Sequence, residues 1–169
     1  MAQVLGAVSS AGESGLTALA HAVGVSGDLR DEHVRWELYQ EALRRGALEL
    51  LLATVVEDPD HTMAAGAVVA ALEQVLPGER ERWVTATAGW STADFVARRA
   101  DELAVLELVS RTVGDEGLVG DEDVGGWSDW LQRRASVPAT RSAVLETLAA
   151  NGRTRRIRLQ AAEALARRE

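Results

Sequence analysis

The chain has 169 residues, a formal net charge of −8, and 47% hydrophobic but only 4% aromatic residues, so it can bury a core, and that core must be aliphatic. It contains neither Cys nor Lys, which excludes disulfide frameworks, thiolate metal sites, thiol nucleophiles, Schiff-base chemistry and a Walker-type lysine. Ala, Leu and Val dominate while Ile, Tyr and Phe occur once each, a composition of helices rather than of a sheet.

In chain order, Val4, Leu5 and Val8 suggest a short first helix ending near Gly12. Leu16, Leu19, Ala20 and Val23 form one helical stripe, closed by Gly24 and Gly27. Asp28 or Asp31 can cap the next helix, which runs to about Arg45 and stops at Gly46. Leu48, Leu50, Leu51, Leu52, Val55 and Val56 make a helix that is apolar on more than one face, expected to be central. Asp58 and Pro59 read as the cap and first position of an Ala- and Val-rich helix reaching Leu76. Pro77 and Gly78 break it, and a short helix is expected over 79–87.

Ser91 and Asp94 have capping-box spacing for a helix extending toward Val113. Residues 114–126 hold five Gly and five acids, read as an exposed, mobile loop. A short helix over 127–135 follows. Pro138 is expected to open another, running to about Ala150, and Asn151 and Gly152 form a turn before a last helix over 154–168.

The segment from Met1 to Ser10 lacks a basic start followed by an apolar run. The longest apolar stretch, Ala64 to Leu72, falls short of the roughly 20 residues a membrane helix needs. A cytoplasmic location and no membrane partner are the resulting expectations. Charge is uneven: residues 1–132 carry nine Arg against twenty-three acids, and residues 133–169 carry nine Arg against three.

Two segments resemble each other at an offset of 93 residues. Val144, Leu145, Thr147 and Leu148 align with Leu51, Leu52, Thr54 and Val55, and Ala162 and Leu165 align with Val69 and Leu72, with a polar turn in each. Ile157 and Arg158 precede the small-residue stripe of Ala161, Ala162, Ala164 and Leu165, and Val34 and Arg35 with Leu38 and Ala42 are a weaker copy. This pattern resembles HEAT (armadillo-type) helical repeats, whose period of about 40–47 residues is roughly half the offset. The resemblance covers about two thirds of the chain and fails from about Gly78 to Gly126. It implies an all-α fold, a single domain over 1–169 forming a right-handed α-solenoid of three to four antiparallel helix pairs, the alternative being an irregular helical bundle. Such stacks present extended surfaces to other macromolecules.

Four groups of residues bear on function. His33 and Glu37 share a helix face, with Glu41 one turn further, but two ligands do not make a metal site, and His21 and His61 lie on other elements. Asp121, Glu122 and Asp123 resemble a calcium loop, yet the twelfth position is Gln132 where a bidentate Glu is needed; no metal or cofactor is expected. Trp83, Trp90, Trp127 and Trp130, with Asp129, suit either a ligand groove, a partner surface or gap-filling in the irregular middle. Asp129 among these Trp is similar only in composition to the lesion site of HEAT-like DNA glycosylases. Arg133, Arg134, Arg141, Arg155, Arg156 and Arg158 form a basic patch suited to phosphates, to an acidic partner or to helix capping. The expectation is a non-enzymatic protein-interaction scaffold; nucleic-acid binding through the Arg patch and a Trp-lined pocket for a small ligand or an enzyme substrate are the alternatives.

Overall fold

The capping signals and helical stripes of the sequence are realised in a computed structural model, which describes residues 15–110, 124–138 and 140–168. Every regular element among these residues is helical. The helix over 15–23 is α1, followed by α2 (Glu32–Arg45), α3 (Leu48–Val56), α4 (His61–Leu72), α5 (Arg80–Ala86), α6 (Ala93–Ser110), α7 (Asp129–Ala135), α8 (Ser142–Asn151) and α9 (Arg155–Ala166). Residues up to Ala100 form one compact unit and those from Asp101 a second, with α6 crossing the division.

In the first unit, Asp31 caps α2 by accepting from the main-chain N–H of His33 at 2.8 Å. That bond holds the Asp31 carboxyl below its ordinary range. Arg44 and Arg45 occupy the last turn, where the helix dipole favours cations, and both pair with the buried Glu41. Gly46 then turns the chain in the left-handed region at φ 68°, a conformation that favours glycine.

Helices α3 and α4 pack together, and α4 also packs on α2 and α5. Ala64, Ala65, Ala67, Val68 and Ala71 fill the faces of α4, and such small side chains let neighbouring helices approach closely. The expected centrality of α3 holds on one side only. Leu51, Leu52 and Val55 are buried, each contributing roughly 1.5–3 kcal/mol, whereas Leu50 and Val56 are exposed.

Asp58 does not cap the following helix as the sequence suggests. Asp60 does, accepting from Thr62 and Met63 N–H groups at 3.1 and 3.0 Å, so α4 begins at His61 and ends at Leu72. Asp58 is instead buried. Its Oδ1 accepts from the Asp60 N–H at 2.7 Å, and its Oδ2 accepts from the Tyr39 hydroxyl and lies 3.4 Å from Arg35 Nε. Arg35 in turn donates to the carbonyls of Leu29 and Arg30 at 3.3 and 2.9 Å. The acid therefore ties the α3–α4 turn to α2, and a buried carboxylate is tolerated because both its oxygens are bonded.

In the second unit, Val109, Val124, Ala135, Val144, Leu145, Leu148, Ile157, Ala161 and Ala164 form one core cluster. Helices α8 and α9 make its largest contact; joined by the short turn at 152–154, they run antiparallel. Gly152 is required there by close approach: a Cβ at this position would sit 2.5 Å from the Leu148 carbonyl and 2.7 Å from Ile157 Cγ2. The two segments aligned at an offset of 93 residues are thus both helix, tight turn, helix. The helix expected from Pro138 starts at Ser142, because Arg141 N–H is engaged by the Val109 carbonyl at 2.9 Å. Most of the expected 114–126 loop lies outside the described residues; its end, Val124–Gly126, is a 3-10 turn with Val124 buried. The expected reach of α6 to Val113 and the helix near Val4 to Val8 also lie outside them.

Candidate interaction surface

The second unit places Trp127, Asp129 and Trp130 at the start of α7, and their positions follow from how that helix begins. Ser128 is its N-cap, accepting from Leu131 N–H at 3.2 Å while donating to the buried Glu102 of α6. Gln132, almost wholly buried, donates to the carbonyls of Val124 at 2.9 Å and Trp127 at 3.4 Å and accepts from Arg153 N–H at 2.9 Å. The Arg153 guanidinium closes the same loop from outside. It donates to the Trp127 carbonyl at 2.9 Å and the Gly125 carbonyl at 3.4 Å, and pairs with Asp129 at 3.2 Å. Asp129 thereby holds a cation in place beside the helix N-terminus, where its charge is also favoured by the dipole.

On this fixed base Trp127 packs half-buried against the core cluster. Trp130, also half-buried, has the Arg134 guanidinium over its ring at 5.5 Å. Arg133 lies exposed beside them, its Nε donating to the Asp129 carbonyl at 3.1 Å. A half-buried Trp faced by an Arg, next to a second Arg, offers an apolar face with a positive edge.

In the first unit, Trp83 is 2% exposed and belongs to the core, where it fills space rather than lining a surface. Trp90 is half-buried and stacks flat on the exposed His61, centroids 4.7 Å apart and planes within 8°. Trp36, which nothing in the sequence singled out, is 43% exposed. His33 lies 3.3 Å from Asp31, and among the described residues no group of three His, Cys, Asp or Glu side chains is arranged to hold a metal ion. No protein-family model, curated protein or solved structure matches the chain.

The basic residues are largely engaged with the main chain. Arg141 donates to the Leu108 carbonyl at 2.8 Å, satisfying the end of α6, and Arg158 to the Gly152 carbonyl at 2.7 Å. Arg168 reaches Ser142 Oγ at 3.0 Å and the carbonyls of Pro138 and Thr140. Arg155 and Arg156 are exposed on the first turn of α9. Helix ends carry orphan carbonyls that cations satisfy well, and Arg141 and Arg158 of the patch serve as such caps. No helix among the described residues is long and apolar enough to cross a membrane.

Proposed function

We propose that the chain is a non-enzymatic protein-interaction module of HEAT-like helix pairs, a small right-handed solenoid whose contact surface is centred on α7. The observation that carries this reading is Trp130 held beneath Arg134 on a helix start pinned by Ser128, Gln132 and Arg153. Trp and Arg are the side chains that most often dominate binding energy at protein interfaces, and a pre-ordered base lowers the entropic cost of using them. The α3–α4 and α8–α9 pairs, repeated at one offset, support the solenoid. The surface suits a partner that offers an apolar side chain flanked by carboxylates.

Affinity capture from a lysate of the source organism, with nuclease present, tests the reading. The native chain and a Trp130→Ala, Arg134→Ala variant of unchanged helicity are compared. A protein recovered by the native chain and weakened by about 30-fold in the variant is expected, the equivalent of roughly 2 kcal/mol at a hot spot. Equal recovery by both chains removes α7 as the contact surface.

A further inference from the structure

The outer face of α9 is an exposed stripe of small and apolar residues edged by charges. At 100° per residue, Arg155, Arg156, Leu159, Ala162, Glu163 and Ala166 fall within one sector about 120° wide, and all six are exposed. Leu159, at the centre of that sector, is 52% exposed. The opposite sector holds Ile157, Ala161 and Ala164, all buried. Small residues at 162 and 166 leave room for a second helix to come close.

The corresponding face of the other helix pair shows what covers such a stripe. By the offset of 93, Leu159 corresponds to Gly66 of α4 and Ala162 to Val69. There the ring of Trp36, from α2, lies over the helix, 3.4 Å from where a Gly66 Cβ would stand, and Val69 is half-buried. In α9 the same positions carry a leucine and an alanine, both exposed.

The charges identify the occupant. Arg156 and Glu163 are two turns apart, lie on the same edge of the stripe, and have Leu159 midway between them. When two copies of α9 are laid antiparallel about a twofold axis, like edges face each other and axial positions invert. Each Arg156 then meets the partner's Glu163, Leu159 meets the partner's Leu159, and the Arg155 stem lies over the partner's Ala162. The pairing is self-complementary, as an isologous contact must be. Within one copy, Glu163 has only a 3.7 Å contact with Arg167, both about two-thirds exposed, a pair too weakly held to compete.

We propose that α9 is a self-association surface, on which two copies of this chain pair antiparallel through Leu159 and two Arg156–Glu163 bridges. One helix pair lies at the low end of interface sizes, so a dissociation constant on the order of 10 µM is expected.

Sedimentation of the full chain from about 1 to 200 µM spans that value and tests the proposal with exposed-face variants whose helicity is checked in parallel. Leu159→Glu, Arg156→Glu and Glu163→Arg are each expected to weaken dimerisation at least about tenfold. An equimolar mixture of the Arg156→Glu and Glu163→Arg chains is expected to regain it, because both bridges re-form, one with its native sign and one reversed. Trp130→Ala is expected to leave it unchanged, which separates this contact from the α7 surface. A chain monomeric at every concentration overturns the proposal, including the case in which Leu159→Glu abolishes binding of a different protein. A dimer indifferent to Leu159→Glu and Arg156→Glu, or a mixture that fails to regain association, overturns it equally.

Discussion

The carboxylate of Asp58 and the phenol of Tyr39 show how much one polar contact can be asked to do in an aliphatic core. Burial raises the Tyr39 pKa, and the Asp58 carboxylate accepting its proton raises it further. A phenol whose pKa is higher folded than unfolded contributes stability that is intact below the ordinary value of 10.0 and is lost as pH rises above it. Tyr39 is the sole tyrosine, so any phenolate formed in alkaline titration is its own, and phenolate is expected to appear only together with loss of helix, not before. Asp58→Ala is expected to cost about 3 kcal/mol in urea unfolding, since it leaves the buried hydroxyl without its acceptor and Arg35 without its counter-charge. Gly152→Ala is expected to cost about 2 kcal/mol in the same measurement, the added methyl group having to displace a carbonyl and Ile157.

At the level of elements, the α2 cap (narrowed to Asp28 or Asp31, and found at Asp31), its stop at Gly46 and the two similar helix pairs were legible because each is written within a few consecutive residues. Capping pairs lie two or three positions apart, and apolar stripes repeat every three or four. The misassigned cap at Asp58 shows the limit: Asp58 and Asp60 are both competent caps, and what decides between them is Tyr39, nineteen residues upstream. The site was less legible than the fold for the same reason. An Arg that donates to a carbonyl, as Arg141, Arg153 and Arg158 do, leaves no trace in the side chain it serves, so a set of caps reads as a patch of charge. Trp83 and Trp130 likewise look alike in sequence and differ only in what surrounds them. Gln132 is the clearest case of a residue with no local signal, and it joins α7 to the α8–α9 turn. Gln132→Glu keeps the acceptor for Arg153 but sets a carboxylate against the Val124 and Trp127 carbonyls. It is expected to lower stability by about 2 kcal/mol or more at neutral pH, and by less at a pH where the carboxyl is protonated, as thermal unfolding at both pH values would show.

For the whole molecule, the uneven charge has a physical outcome that the count of cations alone misstates. Arg141, Arg153, Arg158 and Arg168 of the Arg-rich end are bound to carbonyls of the chain, and the chain as a whole is acidic at −8, so its net charge repels polyanions. Fluorescence anisotropy with duplex DNA is expected to show no binding at physiological salt and no steep rise between about 200 and 50 mM salt. A steep rise, abolished by Arg155→Ala and Arg156→Ala, would instead place phosphate contacts on the first turn of α9.

Concealment of the only phenol also gives the chain a chemical memory. Reagents that nitrate or iodinate tyrosine, and enzymes that phosphorylate it, must reach a ring that is wholly enclosed while α2 stays docked. A mark on Tyr39 is therefore a covalent record that the first unit has opened, and its accumulation over time would count openings too rare for any spectrum to register.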